Sequence, residues 1–448
     1  MTEFFSEGEI YTTSSPGRLD VIGGIADYSG SLLLQKTIAE TTTVQLQKRN
    51  DDLLVIKTTI NELEEQQFSM DLKLLIDKTY REAGKLIRTM PGGDWAVYVA
   101  GCFVVMKKEK GLKTQGASVI VSSDIPQGKG VSSSAALEVA VMKAICKAHN
   151  IQLGETELPC LAQKAENLVV GAPCGLMDQL SVYLGSKNTL LPLICQPHTV
   201  LPPVAIPDGI SFIGIDSGVR HSVGSASYID VRTAAFMAYT IIAVKEKATI
   251  EQLKYAKDHN DTSQLPFHGF LANISTDQFE KNYLPLLPLE ISGNDFVNKY
   301  QVSIDPVTTV EKHKQYKLPP CASFPVYENF RAQKFRKLLQ NFSTQADKDD
   351  SLHMLGSIMF QSHSGYSAAG LGNERTDEIV AMVQNEGPES GVYGARVTGG
   401  GSGGTVCILC YGSKGIQTAE KIYSYYKRKY QVPIYFFNGS SDGAVTLN

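Results

Sequence analysis

Polar and apolar residues follow one another along this chain in patterns that predict both strands and helices. The stretch TTTVQLQKR (41–49) alternates as a half-buried strand does, and GASVIVSSDIP (116–126) is a second β-type run. No internal repeat with a period of about 20 to 50 residues is present, which argues against a repeat array. We therefore expect an α+β protein in which both kinds of element are mixed along the chain.

Three stretches have the apolar spacing of helices. The first has little polar surface, which predicts a buried helix, and contains Ala135, Ala136, Leu137, Val139, Ala140, Val141, Ala144 and Ile145. The second starts from Thr156, a typical N-cap residue, and has Leu158, Leu161, Ala162, Ala165, Leu168 and Val169 on one stripe. Glu166 flanks that stripe. The third is WAVYVAGCFVVM (95–106).

The length of 448 residues exceeds what one ordinary core supports, and 43% hydrophobic residues are enough for two. The stretch QPHTVLPPVAIPD (196–208) is the richest in proline and marks a candidate boundary. We therefore predict an N-terminal domain over 1–205 and a C-terminal domain over 206–448. The segment 285–320 has the composition of connecting or inserted structure, and we expect little chemistry in it.

Charge and cysteine content narrow the range of partners. The formal net charge is −4 and no basic block recurs, so we expect neither nucleic acid nor an anionic membrane as a partner. The beginning of the chain is acidic rather than signal-like, and no long apolar run is present, which favours a cytoplasmic protein that binds small molecules. The eight cysteines are scattered, as reduced thiols are. Cys407 and Cys410 lie in a β-type run, where we expect strand packing rather than a metal or redox site.

The stretch DIPQGKGVSSSAALE (124–138) places glycines and three serines directly before a predicted helix. The first turn of a helix has free backbone N–H groups and a partial positive charge, so this stretch can bind phosphate oxygens. It is not the Walker sequence, because Lys129 is followed by Gly130 rather than by serine or threonine. An ordinary N-cap explains the same pattern equally well.

Further segments of the sequence, together with this loop, resemble the motifs of one enzyme family. From Pro126 to Ala136 the order of residues resembles the central motif of the GHMP small-molecule kinases. PGRLDVIGGIADYSG (16–30) resembles their first motif and GARVTGGGSGGTV (394–406) their third. WAVYVAG (95–101), CGLMDQL (174–180) and SGVRHSVGSASY (217–228) are similar to galactokinase segments. Within the family, the sequence of these motifs resembles that of the kinase domain of plant L-arabinokinases, and the resemblance extends over essentially the whole chain.

The resemblance implies a two-domain GHMP kinase fold with ATP, Mg²⁺ and a sugar in the cleft between the domains. It implies Asp178 as the base and Arg18 as its partner, with Ser134 and Glu166 as metal ligands. The implied ATP-binding residues are Trp95, Gly128, Gly130, Ser132, Ser133 and Ser134, and the third glycine motif contributes Gly399, Gly400, Gly401, Gly403 and Gly404. The implied sugar-binding residues are Arg18, Gly24, Ile25, Asp27, Gly175, Asp178 and Tyr228.

Each of these residues also has a plainer interpretation. Glu166 taken alone is typical of a solvated helix carboxylate, Asp178 of a helix-terminus aspartate and Arg18 of a surface ion pair. Trp95 taken alone is a core aromatic residue, and the third glycine run is a flexible turn. His363 and His221 are expected to be structural, because phosphoryl transfer needs neither.

One departure from galactokinases concerns the acceptor. Where galactokinases carry glutamate and histidine facing the exocyclic C6 end of galactose, this chain has Gly24 and Ile25. L-Arabinopyranose has the ring hydroxyl pattern of galactose without that group, so a carboxylate there would be left unpaired. The resemblance thus favours an ATP-dependent sugar-1-kinase that converts L-arabinose to L-arabinose 1-phosphate. Galactose or a uronic acid as acceptor, and a catalytically silent sugar- and ATP-sensing regulator, are the alternatives.

Overall fold

The computed structural model describes residues 4–60, 64–113, 115–196, 198–220, 226–344 and 347–447. The strands are β1 (Tyr11–Ile22), β2 (Leu32–Lys48), β3 (Leu53–Ile60), β4 (Glu64–Asp71), β5 (Ala117–Ser123), β6 (Thr189–Ile194), β7 (Thr199–Val200), β8 (Val204–Ala205), β9 (Ile210–Asp216), β10 (Ile291–Ser292), β11 (Gln315–Tyr316), β12 (Val392–Val397), β13 (Thr405–Tyr411) and β14 (Phe436–Phe437). Strands and helices are mixed along the chain, as the sequence predicts.

The helices are α1 (Tyr80–Arg88), α2 (Gly93–Lys110), α3 (Ser133–His149), α4 (Glu157–Lys164), α5 (Met177–Leu184), α6 (Ala226–Lys245), α7 (Ile250–His259), α8 (Thr276–Gln278), α9 (Gly293–Tyr300), α10 (Leu318–Asn341), α11 (Lys348–Ala369), α12 (Glu374–Glu386) and α13 (Gly412–Tyr430). A π-helical turn over Ala165–Val170 continues α4, and a 3-10 turn over Gly24–Ser29 follows β1.

The first sheet contains β1 to β8, in the order β4-β3-β5-β2-β6-β7, with β1 also paired to β2 and β8 to β6. All its pairs are antiparallel except β3 with β5. Burial alternates along the second half of β2, and β5 covers the predicted β-run, so both predicted strands are confirmed. Helix α3 packs against β1 and β2, and α2 packs against α3.

The second sheet has the order β12-β13-β9-β14, and α11, α12 and α13 pack on its strands. The predicted boundary between 205 and 206 falls after β8, in the first sheet, and before β9, in the second. The division into two domains stays a prediction, and contacts join the two regions at two further places. The 3-10 turn over Gly24–Ser29 packs on α10, and Gly443 and Ala444 near the end of the chain bond back to Gly185 and Val182.

The predicted helices are present, with two corrections. Helix α3 is buried over its apolar residues, as expected. The stripe that starts at Thr156 forms α4 and its π-helical continuation, but the Thr156 side chain makes no capping bond. Leu168 is 44% exposed rather than buried, because the wider π-turn rotates it out of the stripe.

All eight cysteines are free thiols, and Cys407 and Cys410 are buried in β13, where they act as strand packing. In the part of the chain that the structure describes, no helix combines the length and apolar character needed to cross a bilayer.

Candidate active site

Arg18 and Asp178 form an ion pair between β1 and the first turn of α5. Arg18 donates from Nε and Nη2 to Oδ1 of Asp178 at 2.9 and 2.7 Å. Arg18 is almost fully buried, whereas the Asp178 side chain is 18% exposed. Oδ2 of Asp178 accepts no hydrogen bond from the described residues, so it is available to a ligand. The pair is therefore not the surface ion pair that Arg18 alone suggested.

The glycine loop before α3 presents bare backbone to the same place. Gly128, Gly130 and Ser132 all have positive φ, near 70° for the glycines and 62° for the serine. Ser132 occupies the N-cap position without a side-chain capping bond, and its buried hydroxyl has no partner in the described chain. The ordinary N-cap interpretation is therefore wrong. Among the described residues no side chain caps the first turn of α3, so its N–H groups can bind an anion.

Three contacts hold this loop in place. Arg18 donates from Nη1 to the Gly130 carbonyl at 2.6 Å. Lys129, which does not occupy a Walker position, points its ammonium at the buried carboxylate of Asp216 at the end of β9, 3.0 Å away. The Thr405 hydroxyl donates to the Lys129 carbonyl at 2.8 Å. The loop is thus tied both to Arg18 and to the second sheet.

The third glycine motif lies against the same loop. A Cβ atom on Gly399 would stand 3.1 Å from the Gly130 carbonyl oxygen and 3.3 Å from Nη2 of Arg18. Gly404 donates to the Val219 carbonyl and accepts from the Ser217 amide. These bonds attach the motif to the segment 217–219, and the close approach explains the need for glycine at position 399.

Glu166 lies in the π-helical turn and is buried, which contradicts the solvated-carboxylate interpretation. Its Oε2 accepts from Gln179 Nε2 at 2.6 Å and from the Cys174 thiol at 3.3 Å. Burial raises the pKa of Glu166, while the Ser134 hydroxyl beside it favours the charged form. The two predicted metal ligands therefore face each other.

A second buried carboxyl stands behind Glu166. Glu138 on α3 has no exposed surface, and its oxygens have no hydrogen-bond partner of good geometry among the described residues. Burial, reinforced by the neighbouring Glu166 carboxylate, holds the pKa of Glu138 well above its usual range. The structure thus places an acid directly behind the predicted metal ligand, and the sequence analysis did not single it out.

The predicted sugar residues Asp27, Gly175 and Tyr228 also come together. A Cβ atom on Gly175 would overlap the Asp27 carboxylate, so only glycine allows this contact. The Tyr28 and Tyr228 rings meet edge to face, with centroids 6.2 Å apart. Burial raises the pKa of Asp27 to about 7, against the opposing effects of Arg232 and of the Tyr28 N–H donor.

Arg232 on α6 lies next to these residues, over the Tyr28 ring at 5.6 Å. Asp305 holds it through two hydrogen bonds of 2.8 Å, to Nε and Nη2. Asp305 belongs to the segment 285–320, so the expectation of little chemistry there is incomplete. Since Asp305 is fully buried and matches the charge of Arg232, the pair leaves no net cation at this end of the site.

A buried polar network supports the loop that carries Gly24 and Ile25. Asp20 on β1 accepts from the Gly24 amide and pairs with Arg396 at 2.7 Å, both without exposed surface. The Tyr366 hydroxyl accepts from the Ile25 amide at 3.0 Å and donates to the Gly399 carbonyl at 2.6 Å. Sequence reasoning missed Arg396 and Tyr366, although Arg396 lies inside the quoted third motif.

Three residues named in the sequence analysis remain to be placed: Trp95, His363 and His221. Trp95 lies in the first turn of α2, half-buried against the N-terminal core, and its place in an adenine pocket stays a prediction. His363 accepts from the Val397 amide and contacts Asp377 at 3.0 Å, as a satisfied structural histidine does. His221 lies outside the described residues.

Two family models match the chain in sequence order. The model described as GHMP kinases N terminal domain matches residues 97–186, and the model described as GHMP kinases C terminal matches residues 338–431. The first match contains Ser134, Glu166 and Asp178, and the second contains the third glycine motif.

Similar proteins were also found along nearly the whole chain. The L-arabinokinase of Arabidopsis thaliana is 37% identical over 98% of this chain, which spans only 46% of that protein's length. A galactokinase of Haemophilus influenzae is 28% identical over 89% of this chain and 84% of its own length. The crystal structure of Lactococcus lactis galactokinase complexed with galactose has a TM-score of 0.72 at 21% identity, covering 99% of this chain and 96% of that one. The predicted α+β GHMP kinase fold is confirmed.

Proposed function

This chain belongs to the GHMP kinase family, and from that premise we propose that it transfers the γ-phosphoryl group of ATP to the anomeric hydroxyl of L-arabinose. The products are L-arabinose 1-phosphate and ADP. The observation that carries the proposal is the Arg18–Asp178 pair beside the glycine loop, because it places a reachable carboxylate oxygen next to a phosphate-binding helix end.

In this mechanism, Asp178 accepts the proton of the sugar 1-hydroxyl on Oδ2, the oxygen that Arg18 leaves free. The sugar O1 then attacks the γ-phosphorus, and the bond to the β-phosphate oxygen breaks so that ADP leaves. Arg18 keeps Asp178 oriented and lies close to the developing negative charge. The free N–H groups of α3 bind phosphate oxygens throughout, and most of the catalysis is positioning.

The donor set beside the loop fits Mg²⁺. A hydroxyl and a carboxylate, Ser134 and Glu166, are hard oxygen ligands, and Mg²⁺ usually takes only one or two protein oxygens beside nucleotide phosphates. Among the described residues, no group of three or more His, Cys, Asp or Glu side chains is placed to hold a metal alone. When bound with ATP, the ion would neutralise phosphate charge, and Gln179, which donates to Oε2 of Glu166, would hold Glu166 in place.

The sugar end favours a neutral pentose over a uronic acid. Asp27, Gly175 and Tyr228 provide a carboxylate and a narrow wall for ring hydroxyls. Arg232 is already neutralised by Asp305, so it provides no net positive charge for a sugar carboxylate. Gly24 and Ile25 offer no side-chain donor or acceptor for an exocyclic hydroxymethyl group.

The test is ADP release with Mg²⁺–ATP across L-arabinose, D-galactose, D-fucose, D-galacturonate and D-xylose, with acid lability of the product as the sign of an anomeric phosphate. A strong preference for L-arabinose supports the proposal. Equal use of galactose contradicts the role given to Gly24 and Ile25, and turnover of no sugar contradicts the kinase itself and favours a sensor.

A further inference from the structure

Tyr366 on α11 contacts the loop that carries Gly24 and Ile25. Its ring is fully buried, packs edge to face on Phe324 with centroids 4.9 Å apart, and lies 5.3 Å from the Arg396 guanidinium. Because these neighbours fix the ring, the hydroxyl has one position. That position is between the Ile25 amide and the Gly399 carbonyl.

The Tyr366 hydroxyl occupies the space beside Gly24. A Cβ atom on Gly24 would overlap the Tyr366 oxygen and would lie 2.8 Å from its Cζ atom and 2.9 Å from Nη2 of Arg396. Gly24 also has a φ of 51°, which side chains rarely adopt. No side chain at position 24 is therefore compatible with Tyr366 in this place.

The hydroxyl offers little to a ligand. It donates to Gly399 and accepts from Ile25, so its proton and one of its lone pairs are already used. Tyr366 thus fills the volume beside Gly24 without presenting a carboxylate or another strong acceptor. It also connects the loop of Gly24 and Ile25 to the third glycine motif, through its bonds to the Ile25 amide and the Gly399 carbonyl.

From these contacts we infer that Tyr366 determines which sugar the pocket accepts. It closes the space beside Gly24 and fixes the Ile25 amide, and a sugar with an exocyclic hydroxymethyl group at this end finds no partner for its hydroxyl. This inference rests on the proposed sugar-kinase function and deepens it. Tyr366 is a positioning residue, since it acts through Gly24 and Ile25 rather than on the reacting atoms.

The test compares Y366F with Y239F. Tyr239 is an equally buried tyrosine whose hydroxyl donates to the Pro266 carbonyl at 2.7 Å, outside the site. We expect Y366F to lower the ratio of kcat/KM for L-arabinose over D-galactose by about fivefold or more, through the KM values. The Ile25 amide and the Gly399 carbonyl lose their partner, and the space beside Gly24 gains the volume of one oxygen atom. We expect Y239F to leave that ratio unchanged. If Y366F does not fold, F324L, which loosens the ring, should lower the ratio by a smaller factor.

A second measurement tests, without using turnover, whether a side chain at position 24 and the Tyr366 hydroxyl compete for the same space. G24A should lower the melting temperature strongly in the unsubstituted protein and less in the Y366F background, because the overlapping oxygen is gone. Additive losses, or an unchanged sugar ratio in Y366F, overturn the inference while leaving the kinase intact. Failure of the unsubstituted protein to bind any of the five sugars by calorimetry overturns the proposed function and this inference with it.

Discussion

The two ends of the candidate site are built in different ways. The proposed phosphate end consists mainly of backbone from one continuous stretch, in which Gly128, Gly130 and Ser132 have positive φ and no described side chain caps the first turn of α3. The proposed sugar end consists of side chains from distant segments, and Arg232, Asp305 and Tyr366 come from α6, the loop between α9 and β11, and α11.

This difference explains which parts of the chemistry are shared and which are selective. A backbone cradle binds any phosphate group, so it fixes the reaction type and tolerates few substitutions. A pocket assembled from distant side chains can change one wall at a time, so it is where substrate preference is set. Substitutions at the two ends should therefore have different kinetic signatures.

The largest effect is expected where the two ends meet. D178A should reduce kcat by about a thousandfold or more, because it removes the proton acceptor, while the fold persists. D178N keeps the size of the side chain and should be nearly as inactive. Single-turnover kinetics with calorimetry checks this, and near-normal turnover in either variant would exclude Asp178 as the base.

A smaller effect is expected at the metal ligand. E166Q should raise the Mg²⁺ concentration needed for half-maximal activity by about tenfold or more, because a neutral amide binds the ion more weakly than a carboxylate. E157Q is the matched control, since Glu157 is an exposed carboxylate on α4 paired with Lys110. A Mg²⁺ titration of E166Q that overlays the E157Q curve would remove Glu166 from the metal site.

At the phosphate end, K129M should raise the KM for ATP by about tenfold and leave the KM for the sugar nearly unchanged. The substitution removes the cation that pairs with the buried Asp216 carboxylate, so the glycine loop loses its attachment to the second sheet. The double variant K129M/D216N should recover part of the ATP affinity, because it removes the unpaired charge. Equal increases in both KM values would contradict a role confined to the phosphate end.

At the sugar end, the smallest effect is expected from pH. Because burial raises the pKa of Asp27 to about 7, sugar affinity should fall several-fold as the pH decreases through 7 and the carboxylate becomes protonated. The same shift has the opposite sign for stability, since the folded protein binds the proton more tightly than the unfolded chain and gains stability as the pH falls from 7 towards 4. D27N should flatten both profiles, and profiles that D27N does not alter would assign the pH dependence to another group.

The elements of the proposed phosphate end were easier to predict from the sequence than the side-chain contacts of the proposed sugar end, for the same physical reason. Glycines, serines and an apolar helix are local, so β5, the loop and α3 could be recognised in one stretch. Asp305 and Tyr366 carry no local signal, because each gains its role only when folding brings it to Arg232 or to Gly24. The π-turn that exposes Leu168 was missed because regular helical spacing places that residue on the buried stripe.

The measurement that tests the central claim most directly is the structure of the product formed from L-arabinose and Mg²⁺–ATP, determined by phosphorus and carbon NMR with the unsubstituted protein and D178N side by side. The account predicts phosphorus coupled to C1 of the pentose, formed by the unsubstituted protein alone. Phosphate on any other hydroxyl, or equal product from D178N, would contradict it.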